Sequence, residues 1–330
     1  MKYPVINLTD KQSAEVKNFN KDKKIFLEFI NCINCNLSNF KKLYSNDRNG
    51  INQQTVLCNN CGLVYSNPRM TKETLNYFYS SNIYREIYES SSDFEYNFQE
   101  RKADIKKDNS MINPNFTKYY PKLFFDFINS LNVDYESVCE IGAGFGNYLM
   151  YFKNIGKNVC GIEPSKVLAN IAKNNNLNIK EGFLNDLNST YDLIFLRHVF
   201  EHLHNPLKDL KKIRNHTNKY LFLEVPGNIK RLASIQNAHN FYFTKNTLNK
   251  IVLNAGFDLV SIKHCKETEF IFALYKKNDN QNPKFEYSYT KEIRFIKKTY
   301  RNDNIRFIII RMLKKLYLFD FFIKVKKFLF

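Results

Sequence analysis

The stretch Val138-Cys-Glu-Ile-Gly-Ala-Gly-Phe-Gly-Asn147 decides the fold of this chain. Three glycines, Gly142, Gly144 and Gly146, follow an apolar run at every second position. Glycine lets a backbone turn sharply and approach a ligand closely, because a Cβ would obstruct both. A helix that follows such a turn points its free N–H groups towards the ligand. The stretch therefore predicts a strand, a ligand-binding turn and a helix in succession.

Two acidic residues flank this turn and indicate its ligand. Glu140 lies two residues before Gly142, and Glu163 ends the next predicted strand. A carboxylate in the position of Glu163 can accept hydrogen bonds from both hydroxyls of a ribose. Glu140 would repel a pyrophosphate but would attract an ammonium, and S-adenosylmethionine joins an amino-acid ammonium to an adenosine. We therefore predict an S-adenosylmethionine site that consists of Glu140, Gly142, Ala143, Gly144, Gly146 and Glu163.

The alternative ligand of the turn is a dinucleotide. Dinucleotide sites favour Gly-x-Gly-x-x-Gly, in which the helix N-terminus holds a pyrophosphate, whereas the third glycine here comes one residue earlier. The chain also contains the Tyr-x-x-x-Lys pattern of some dehydrogenases, from Tyr287 to Lys291. That pattern lies downstream of every predicted strand, so the sequence favours a methyltransferase over a dehydrogenase.

Strand and helix patterns alternate from residue 121 onwards. Near-continuous apolar strands that alternate with helices are typical of a parallel sheet covered on both faces. Gly156 and Gly256 follow predicted helices as stops, and Thr244 precedes one as an N-cap. The last two strands are close enough in sequence to form an antiparallel hairpin at the sheet edge. The prediction is an α/β fold with a Rossmann-like, seven-stranded class I methyltransferase sheet, its strands at 137–141, 158–163, 178–182, 191–197, 219–225, 257–264 and 269–276.

Four of the seven cysteines form two Cys-x-x-Cys pairs, Cys32 with Cys35 and Cys58 with Cys61. Thiolates at this spacing can bind one Zn²⁺, and two such pairs complete a tetrahedral structural site. The pattern predicts an N-terminal zinc ribbon and fits a reducing compartment better than a disulfide scaffold. The alternatives are four unrelated buried cysteines, or a ribbon that also binds nucleic acid.

The formal charge of +18 is concentrated near the C-terminus, where residues 284–330 contain thirteen Lys and Arg against four Asp and Glu. A basic amphipathic helix can lie on an anionic membrane, or it can pack on its own domain or on a second subunit. A basic chain can also bind nucleic acid or phosphorylated substrates. The apolar residues of this tail follow one helical stripe, which comprises Ile305, Ile308, Ile309, Met312, Leu313 and Leu316.

A polar loop follows the strand 191–197, at the edge where open α/β sheets bind ligands. It contains the candidate catalytic residues His198, Glu201 and His202, for which purely structural roles are the alternative. An imidazole is a plausible base at neutral pH, and methyl transfer to a hydroxyl or a carbon acid requires removal of a proton. The same residues match the His-x-x-Glu-His motif of a metallopeptidase, but that motif needs a helix and here abuts a strand. His239 either faces the substrate or supports the neighbouring loop.

The combination of these motifs resembles zinc-ribbon class I methyltransferases over residues 30–275. The resemblance implies that Phe183 lies near the adenine of S-adenosylmethionine. Such proteins are often linked to sugar-nucleotide, antibiotic-sugar or surface-polysaccharide pathways. The motifs that carry the resemblance are Cys58-x-x-Cys61-Gly-Leu-Val-Tyr-Ser-Asn-Pro-Arg69, the Glu140 turn, Gly161-Ile-Glu-Pro-Ser165, His198-Val-Phe-Glu-His-Leu203, Glu224-Val-Pro226, Phe243-Thr244 and Ala255-Gly256-Phe257.

The resemblance also suggests a substrate class, a sugar or nucleotide-linked sugar for a surface glycan. Sugar C-methyltransferases of this group usually carry a long further C-terminal domain, whereas this chain has residues 279–330 there. We therefore expect O-methylation rather than C-methylation. The alternative is a nucleic-acid-associated methyltransferase that binds RNA or DNA through the ribbon and the basic tail, although the chain lacks the Asn/Asp-Pro-Pro-Tyr signature of base methylation.

The sequence predicts four regions. Residues 1–70 contain the zinc ribbon, 71–120 form an aromatic, helical linker or lid, 121–278 form the methyltransferase domain, and 279–330 form the basic tail. Residues 1–10 lack the apolar segment of a signal peptide, and no run approaches the roughly 18 apolar residues of a membrane span. We expect a cytoplasmic enzyme, with peripheral membrane contact through the tail as an open alternative.

Overall fold

A computed structural model describes the chain over residues 6, 8–81, 83–89, 120–227, 234–266, 268–278 and 289–315. The predicted linker is therefore described only in part, and its aromatic residues Phe94, Tyr96 and Phe98 lie outside the described residues. The same holds for the last part of the tail, 316–330.

The N-terminal region begins with a helix and continues as short strands. Helix α1 (Asp10–Phe19) starts at Thr9, whose hydroxyl accepts a hydrogen bond from the N–H of Gln12 while the Gln12 side chain accepts one from Thr9. The following strands are β1 (Leu27–Glu28), β2 (Phe40–Asn46), β3 (Asn52–Cys58), β4 (Val64–Ser66) and β5 (Arg69–Met70).

A helical segment leads to the α/β domain. It consists of α2 (Lys72–Ser80) and a π-helical turn (Arg85–Glu89). The α/β elements then follow as α3 (Tyr120–Ser130), β6 (Ser137–Ile141), α4 (Asn147–Asn154), β7 (Asn158–Glu163), α5 (Lys166–Asn174), β8 (Ile179–Glu181), β9 (Tyr191–Arg197), α6 (Pro206–His216), β10 (Thr217–Pro226), β11 (Phe241–Tyr242), α7 (Lys245–Leu253), β12 (Phe257–His264) and β13 (Phe270–Lys277).

The large sheet has seven strands in the order β12-β13-β10-β9-β6-β7-β8. The strands from β10 to β8 run parallel, and β13 pairs antiparallel with both β10 and β12. This arrangement confirms the predicted Rossmann-like class I methyltransferase sheet and its edge hairpin. The carboxyl ends of β6, β7, β9 and β10 meet at one edge, where open α/β sheets bind ligands.

The smaller sheet joins the two parts of the chain. Its order is β11-β4-β3-β2, so a strand of the α/β domain completes the N-terminal sheet. Phe241 of β11 pairs with Tyr65 of β4, and one continuous apolar cluster includes Cys58, Tyr65 and Phe241 together with the α/β core. The segment that precedes β11 is therefore held against the N-terminal sheet.

The C-terminal helix α8 (Tyr289–Lys315) packs on the small sheet through its first half. Ile296 is buried there with Tyr44 of β2, and the hydroxyl of Tyr44 donates a hydrogen bond of 3.0 Å to Asp303. The later stripe residues Ile305, Ile308, Ile309 and Met312 are each about half exposed. Within the described residues, no helix is both long and apolar enough to cross a membrane.

The buried Glu292 at the start of α8 predicts a pH-dependent stability. Burial raises the pKa of Glu292 to about 7, above the unfolded value of about 4.3. The folded state therefore binds the proton more tightly, and stability falls as pH rises from about 4.3 to 7. We expect Glu292→Gln to unfold at a higher temperature than the wild type at pH 8, with the difference shrinking towards pH 5. Glu15→Gln on α1 is the control, and an equal effect of both variants would contradict the interpretation.

Candidate functional site

The glycine-rich turn joins β6 to α4 and has an open side. All three glycines have positive φ, from 57° to 82°, a region that favours glycine. A Cβ at Gly142 would lie 2.4 Å from Cγ2 of Val199, and one at Gly146 would lie 2.3 Å from Cδ1 of Leu177. Among the described residues, a Cβ at Gly144 would meet no atom within 4 Å. Gly144 therefore faces free space, as expected where a ligand approaches the backbone.

Glu163 at the end of β7 lies beside this open side. Its side chain is 6% exposed, and its two oxygens accept hydrogen bonds from the N–H groups of Gly144 (2.7 Å) and Ser165 (2.8 Å). Each carboxylate oxygen can accept more than one hydrogen bond, so both oxygens retain capacity for a ribose hydroxyl. The two backbone bonds fix the carboxylate in the orientation that such a contact needs.

Glu140 is a buried acid with an unpaired oxygen. Its side chain is 3% exposed, and Oε2 has no hydrogen-bond partner among the described residues. Burial raises the pKa of Glu140 well above its usual value, although the charge of Arg197 opposes this shift. A buried polar atom without a partner is costly, and an ammonium group would satisfy it.

Phe183 lies after β8, the strand next to β7. Its ring is 66% exposed, and it precedes a 3-10 turn, Leu184–Asp186, whose last residue accepts a hydrogen bond from the Phe183 N–H at 2.8 Å. An exposed aromatic ring at the ligand edge of the sheet can stack on a flat heterocycle.

An ion pair that the sequence did not reveal lies at the ends of β9 and β10. The guanidinium of Arg197 donates two hydrogen bonds to Glu224, at 2.8 and 3.0 Å. Burial favours the protonated form of Glu224, but the charge of Arg197 outweighs it and lowers the pKa of Glu224 to about 2. The sequence feature that could have revealed this pair is the presence of a charged residue at the carboxyl end of each of two neighbouring buried strands.

His198 lies against this ion pair in a left-handed conformation, with φ of 52°. Its Nε2 lies 3.1 Å from Glu224 and its Nδ1 lies 3.6 Å from Glu201. Burial alone would lower the pKa of His198, but the two carboxylates outweigh it and raise this pKa to about 9. The ring is thus a cation at neutral pH and cannot accept a proton there.

Glu201 and His202 lie in a 3-10 turn, Phe200–His202, rather than in a helix. The two histidines of the His-x-x-Glu-His motif therefore do not share a helical face, as a metallopeptidase would require. The Nδ1 of His202 lies 2.8 Å from the carbonyl oxygen of Ala238 and 3.1 Å from the hydroxyl of Tyr79. Because a carbonyl can only accept, Nδ1 donates and Nε2 carries the lone pair.

The four cysteines of the two Cys-x-x-Cys pairs lie together. The Sγ atoms of Cys32 and Cys61 are 3.4 Å apart, and those of Cys35 and Cys58 are 3.5 Å apart. All four sulfur atoms lie within 4.8 Å of one another, and all four thiols are free rather than joined in disulfides. The two Cys-x-x-Cys pairs thus form one cluster.

Comparison with known protein families agrees with the methyltransferase fold of the large sheet. Residues 105–262 match a protein family described as a methyltransferase domain. No curated protein sequence matches the chain. This match and the seven-stranded sheet with its glycine-rich turn identify a class I methyltransferase domain, and the chain is an S-adenosylmethionine-dependent methyltransferase.

Several solved structures are similar to the chain at low identity. A methyltransferase from Thermotoga maritima, described as a possible histamine N-methyltransferase, is 16% identical over 56% of this chain and 97% of its own, with a TM-score of 0.42. The magnesium protoporphyrin IX methyltransferase of Synechocystis PCC 6803 with bound S-adenosylmethionine is 16% identical over 59% of this chain and 94% of its own, with a TM-score of 0.42. A methyltransferase from Clostridium acetobutylicum is 14% identical over 56% and 99%, with a TM-score of 0.43.

Proposed function

We propose that the chain methylates an oxygen of a sugar or nucleotide-linked sugar that is used for a surface glycan. The observation that carries this proposal is the contact between Val199 and Gly142, because a Cβ at Gly142 would lie 2.4 Å from the Val199 side chain. This contact holds the loop 198–204, which contains His198, Glu201 and His202, directly against the cofactor turn. The loop is therefore in position to act on an acceptor placed next to the cofactor.

The cofactor site proposed for this function consists of the residues predicted above. Glu163 would accept hydrogen bonds from the ribose hydroxyls, Glu140 would accept one from the ammonium group, and the ring of Phe183 would lie against the adenine. The turn from Gly142 through Ala143 and Gly144 to Gly146 provides the close approach of the backbone. When bound, the cofactor supplies a methyl group on a positively charged sulfur.

The loop 198–204 would prepare the acceptor oxygen. A hydroxyl becomes a good nucleophile only when its proton is removed. The Nε2 of His202 carries a lone pair and lies 3.8 Å from Glu201, so His202 is the imidazole among the three candidate catalytic residues that can accept a proton. The cationic ring of His198 would instead orient Glu201 and Glu224, between which it lies.

The aromatic residues of the linker support a sugar-type acceptor. Tyr79 of α2 contacts His202 through its hydroxyl, and its ring packs against Tyr84 at 5.1 Å between centroids. An aromatic surface next to polar groups suits a sugar, which presents apolar C–H faces and many hydroxyls. The second candidate is a nucleic-acid acceptor, which the basic tail and the ribbon favour through phosphate contacts.

We also propose that the four ribbon thiolates bind a structural Zn²⁺. A tetrahedral site with Zn–S bonds of about 2.3 Å has sulfur atoms about 3.8 Å apart, close to the 3.4 and 3.5 Å found within the two closest pairs. The site would be closed, with Cys32, Cys35, Cys58 and Cys61 as its ligands and no position left for a substrate.

The exposed apolar stripe of α8 supports a further proposal, peripheral contact of a cytoplasmic enzyme with an anionic membrane. Ile305, Ile308 and Ile309 project from one side of a helix that also contains Arg301 and Arg306. We also propose that the chain is organised in the four regions predicted from the sequence, 1–70, 71–120, 121–278 and 279–330.

Release of S-adenosylhomocysteine tests the acceptor class. The purified chain would be incubated with S-adenosylmethionine and separately with nucleotide sugars, RNA, DNA or anionic lipid vesicles. We expect release only with nucleotide sugars, and a new O-methyl group in the product. Release only with RNA or DNA, falling steeply as salt is added, would overturn the sugar assignment and favour the second candidate.

A further inference from the structure

We propose that Glu201, His202 and His239 form a second metal site, distinct from the ribbon, which binds a divalent cation such as Mn²⁺, Fe²⁺ or Co²⁺. Two imidazoles and one carboxylate are a ligand set that suits these ions. Oε1 of Glu201 lies 3.8 Å from Nε2 of His202 and 3.9 Å from Nε2 of His239. The three ligand atoms all lie within 4.8 Å of one another, so small side-chain movements would bring them to one ion.

The carboxylate of Glu201 has the environment of a ligand rather than of a hydrogen-bonded core residue. Its side chain is 1% exposed, and both of its oxygens lack a hydrogen-bond partner among the described residues. The surrounding imidazole nitrogens lie at 3.6 to 3.9 Å, which is beyond hydrogen-bond distance. The imidazolium of His198 is shared between Glu201, at 3.6 Å, and Glu224, at 3.1 Å, so it offsets only part of the cost of burying the Glu201 carboxylate. A bound cation would offset the rest.

The imidazole of His202 is prepared for coordination by its surroundings. Its Nδ1 donates to the carbonyl oxygen of Ala238 at 2.8 Å, which leaves the lone pair on Nε2, the nitrogen that faces Glu201. Metal-binding histidines commonly donate their other ring N–H to a carbonyl or carboxylate, which fixes the tautomer and the ring orientation.

His239 completes the set from another part of the chain. It is 5% exposed, and its ring lies edge-on to that of His202 with 4.7 Å between centroids. The pairing of β11 with β4 holds the segment that contains it. The side-chain amide of Gln236 contacts both ring nitrogens of His239, so this amide must move off Nε2 when His239 binds an ion.

The position of the metal site suits it to prepare the acceptor hydroxyl, an inference that rests on the proposed function. Three protein ligands leave coordination positions open, as in catalytic metal sites, and two of them, Glu201 and His202, lie in the loop that contacts the cofactor turn. With an ion bound, the Nε2 of His202 is a ligand and cannot accept a proton, so the ion takes over the preparation of the acceptor. A hydroxyl bound to a divalent cation loses its proton more easily. A lone pair on the oxygen of this acceptor hydroxyl would form the bond to the methyl carbon. The bond between that carbon and sulfur would break, and its electron pair would return to sulfur. The proton of the hydroxyl would pass to solvent.

Mn²⁺ titration of the full chain tests the site without any turnover. With zinc already in the ribbon, we expect one further Mn²⁺ per chain by loss of the free-ion electron paramagnetic resonance signal. The bound ion should show couplings to the ¹⁴N nuclei of two imidazoles, a signature that thiolate ligands cannot give. Absence of Mn²⁺ binding to the wild type, or binding without nitrogen couplings, would overturn the proposal.

Substitution of single proposed ligands tests whether the Mn²⁺ ion binds at this site. Glu201→Gln and His239→Gln should each weaken Mn²⁺ binding at least tenfold, whereas His264→Asn should bind as the wild type does. His264 is a matched control because it also lies beside a glutamate, Glu269 at 3.2 Å, on β12. Retained binding of S-adenosylhomocysteine would show that each variant is folded, and unchanged Mn²⁺ affinity in a folded Glu201→Gln would refute the site.

Failure of the metal-site proposal and failure of the sugar assignment would give different experimental results. Mn²⁺ bound with two nitrogen ligands but no methylation of any nucleotide sugar would support the metal site and count against the sugar assignment. Full methylation of a nucleotide sugar in the presence of a chelator that removes Mn²⁺ and leaves the ribbon zinc in place would overturn the metal's role and leave the sugar assignment standing.

Discussion

Gly144→Arg is expected to lower the affinity for S-adenosylmethionine by about a hundredfold or more, which is a loss of at least about 2.7 kcal/mol. The Cβ of any residue at this position would project into free space on the open side of the turn. A long side chain there would occupy the volume in which the cofactor has to lie. Because no atom of the described residues is within 4 Å of this Cβ, the substitution should leave their packing intact, and only the positive φ of 57° adds strain.

Gly156→Arg provides a matched control for this experiment. Gly156 also has a positive φ, 81°, and a Cβ there would likewise meet no atom within 4 Å in the part of the chain that the structure describes. It lies between α4 and β7, at the edge of the sheet opposite to the cofactor turn. Both variants should therefore suffer a similar backbone strain, but only Gly144→Arg should lose binding in calorimetry. Equal affinities of the two variants would mean that the turn does not hold the cofactor.

Replacement of Cys58 and Cys61 by serine is expected to remove the ribbon metal and to unfold the N-terminal sheet. Structural zinc sites of this kind contribute on the order of 10–16 kcal/mol to folding in small domains. Both cysteines are buried in the apolar cluster that the ribbon shares with the α/β core. Elemental analysis should find about one zinc per wild-type chain and almost none in the double variant, whose thermal unfolding should begin at a markedly lower temperature.

The control for the double variant is Cys265→Ser, which changes a buried cysteine in a different apolar cluster. It should retain the zinc content of the wild type. The account would be contradicted by a metal-free wild type purified without chelators, or by a Cys58→Ser, Cys61→Ser variant that keeps its zinc.

Much of the large sheet was predictable because its signals are local. The bounds of β7 and β9 agree with the predicted strands 158–163 and 191–197. Each of these strands is an apolar run that ends in a charged residue at the ligand edge. Thr244 caps α7 by accepting a hydrogen bond from the N–H of Thr247, and Gly156 and Gly256 follow helices with positive φ, as expected.

The remaining features depend on contacts between distant parts of the chain. Strand β11 is two residues long and completes the ribbon sheet, a pairing that no local pattern indicates. It is also what carries His239 towards Glu201. The hydrogen bonds from Arg197 to Glu224 were missed because strand patterns identify apolar faces, not the partners of a charge at a strand end. The left-handed backbone of His198 likewise has no sequence signal in a histidine.

Ligand-bound structures and variants test the roles of the predicted site residues. We propose Glu140, Glu163 and Phe183 as the contacts of a nucleoside-bearing cofactor. We also propose one metal ion bound by the four cysteines whose sulfur atoms lie within 4.8 Å of one another, Cys32, Cys35, Cys58 and Cys61. The choice of base among His198, Glu201 and His202 depends on the acceptor. When no ion occupies the site formed by Glu201, His202 and His239, the geometry favours His202 because its Nε2 carries the lone pair.

A crystal structure of the chain with S-adenosylhomocysteine is the most direct test of the central claim. We expect both oxygens of Glu163 to accept hydrogen bonds of about 2.5–2.7 Å from the two ribose hydroxyls, with the ring of Phe183 against the adenine and the ammonium near Glu140. A nucleoside bound elsewhere on the chain, or a ribose that does not touch Glu163, would contradict the assignment of this turn as the cofactor site.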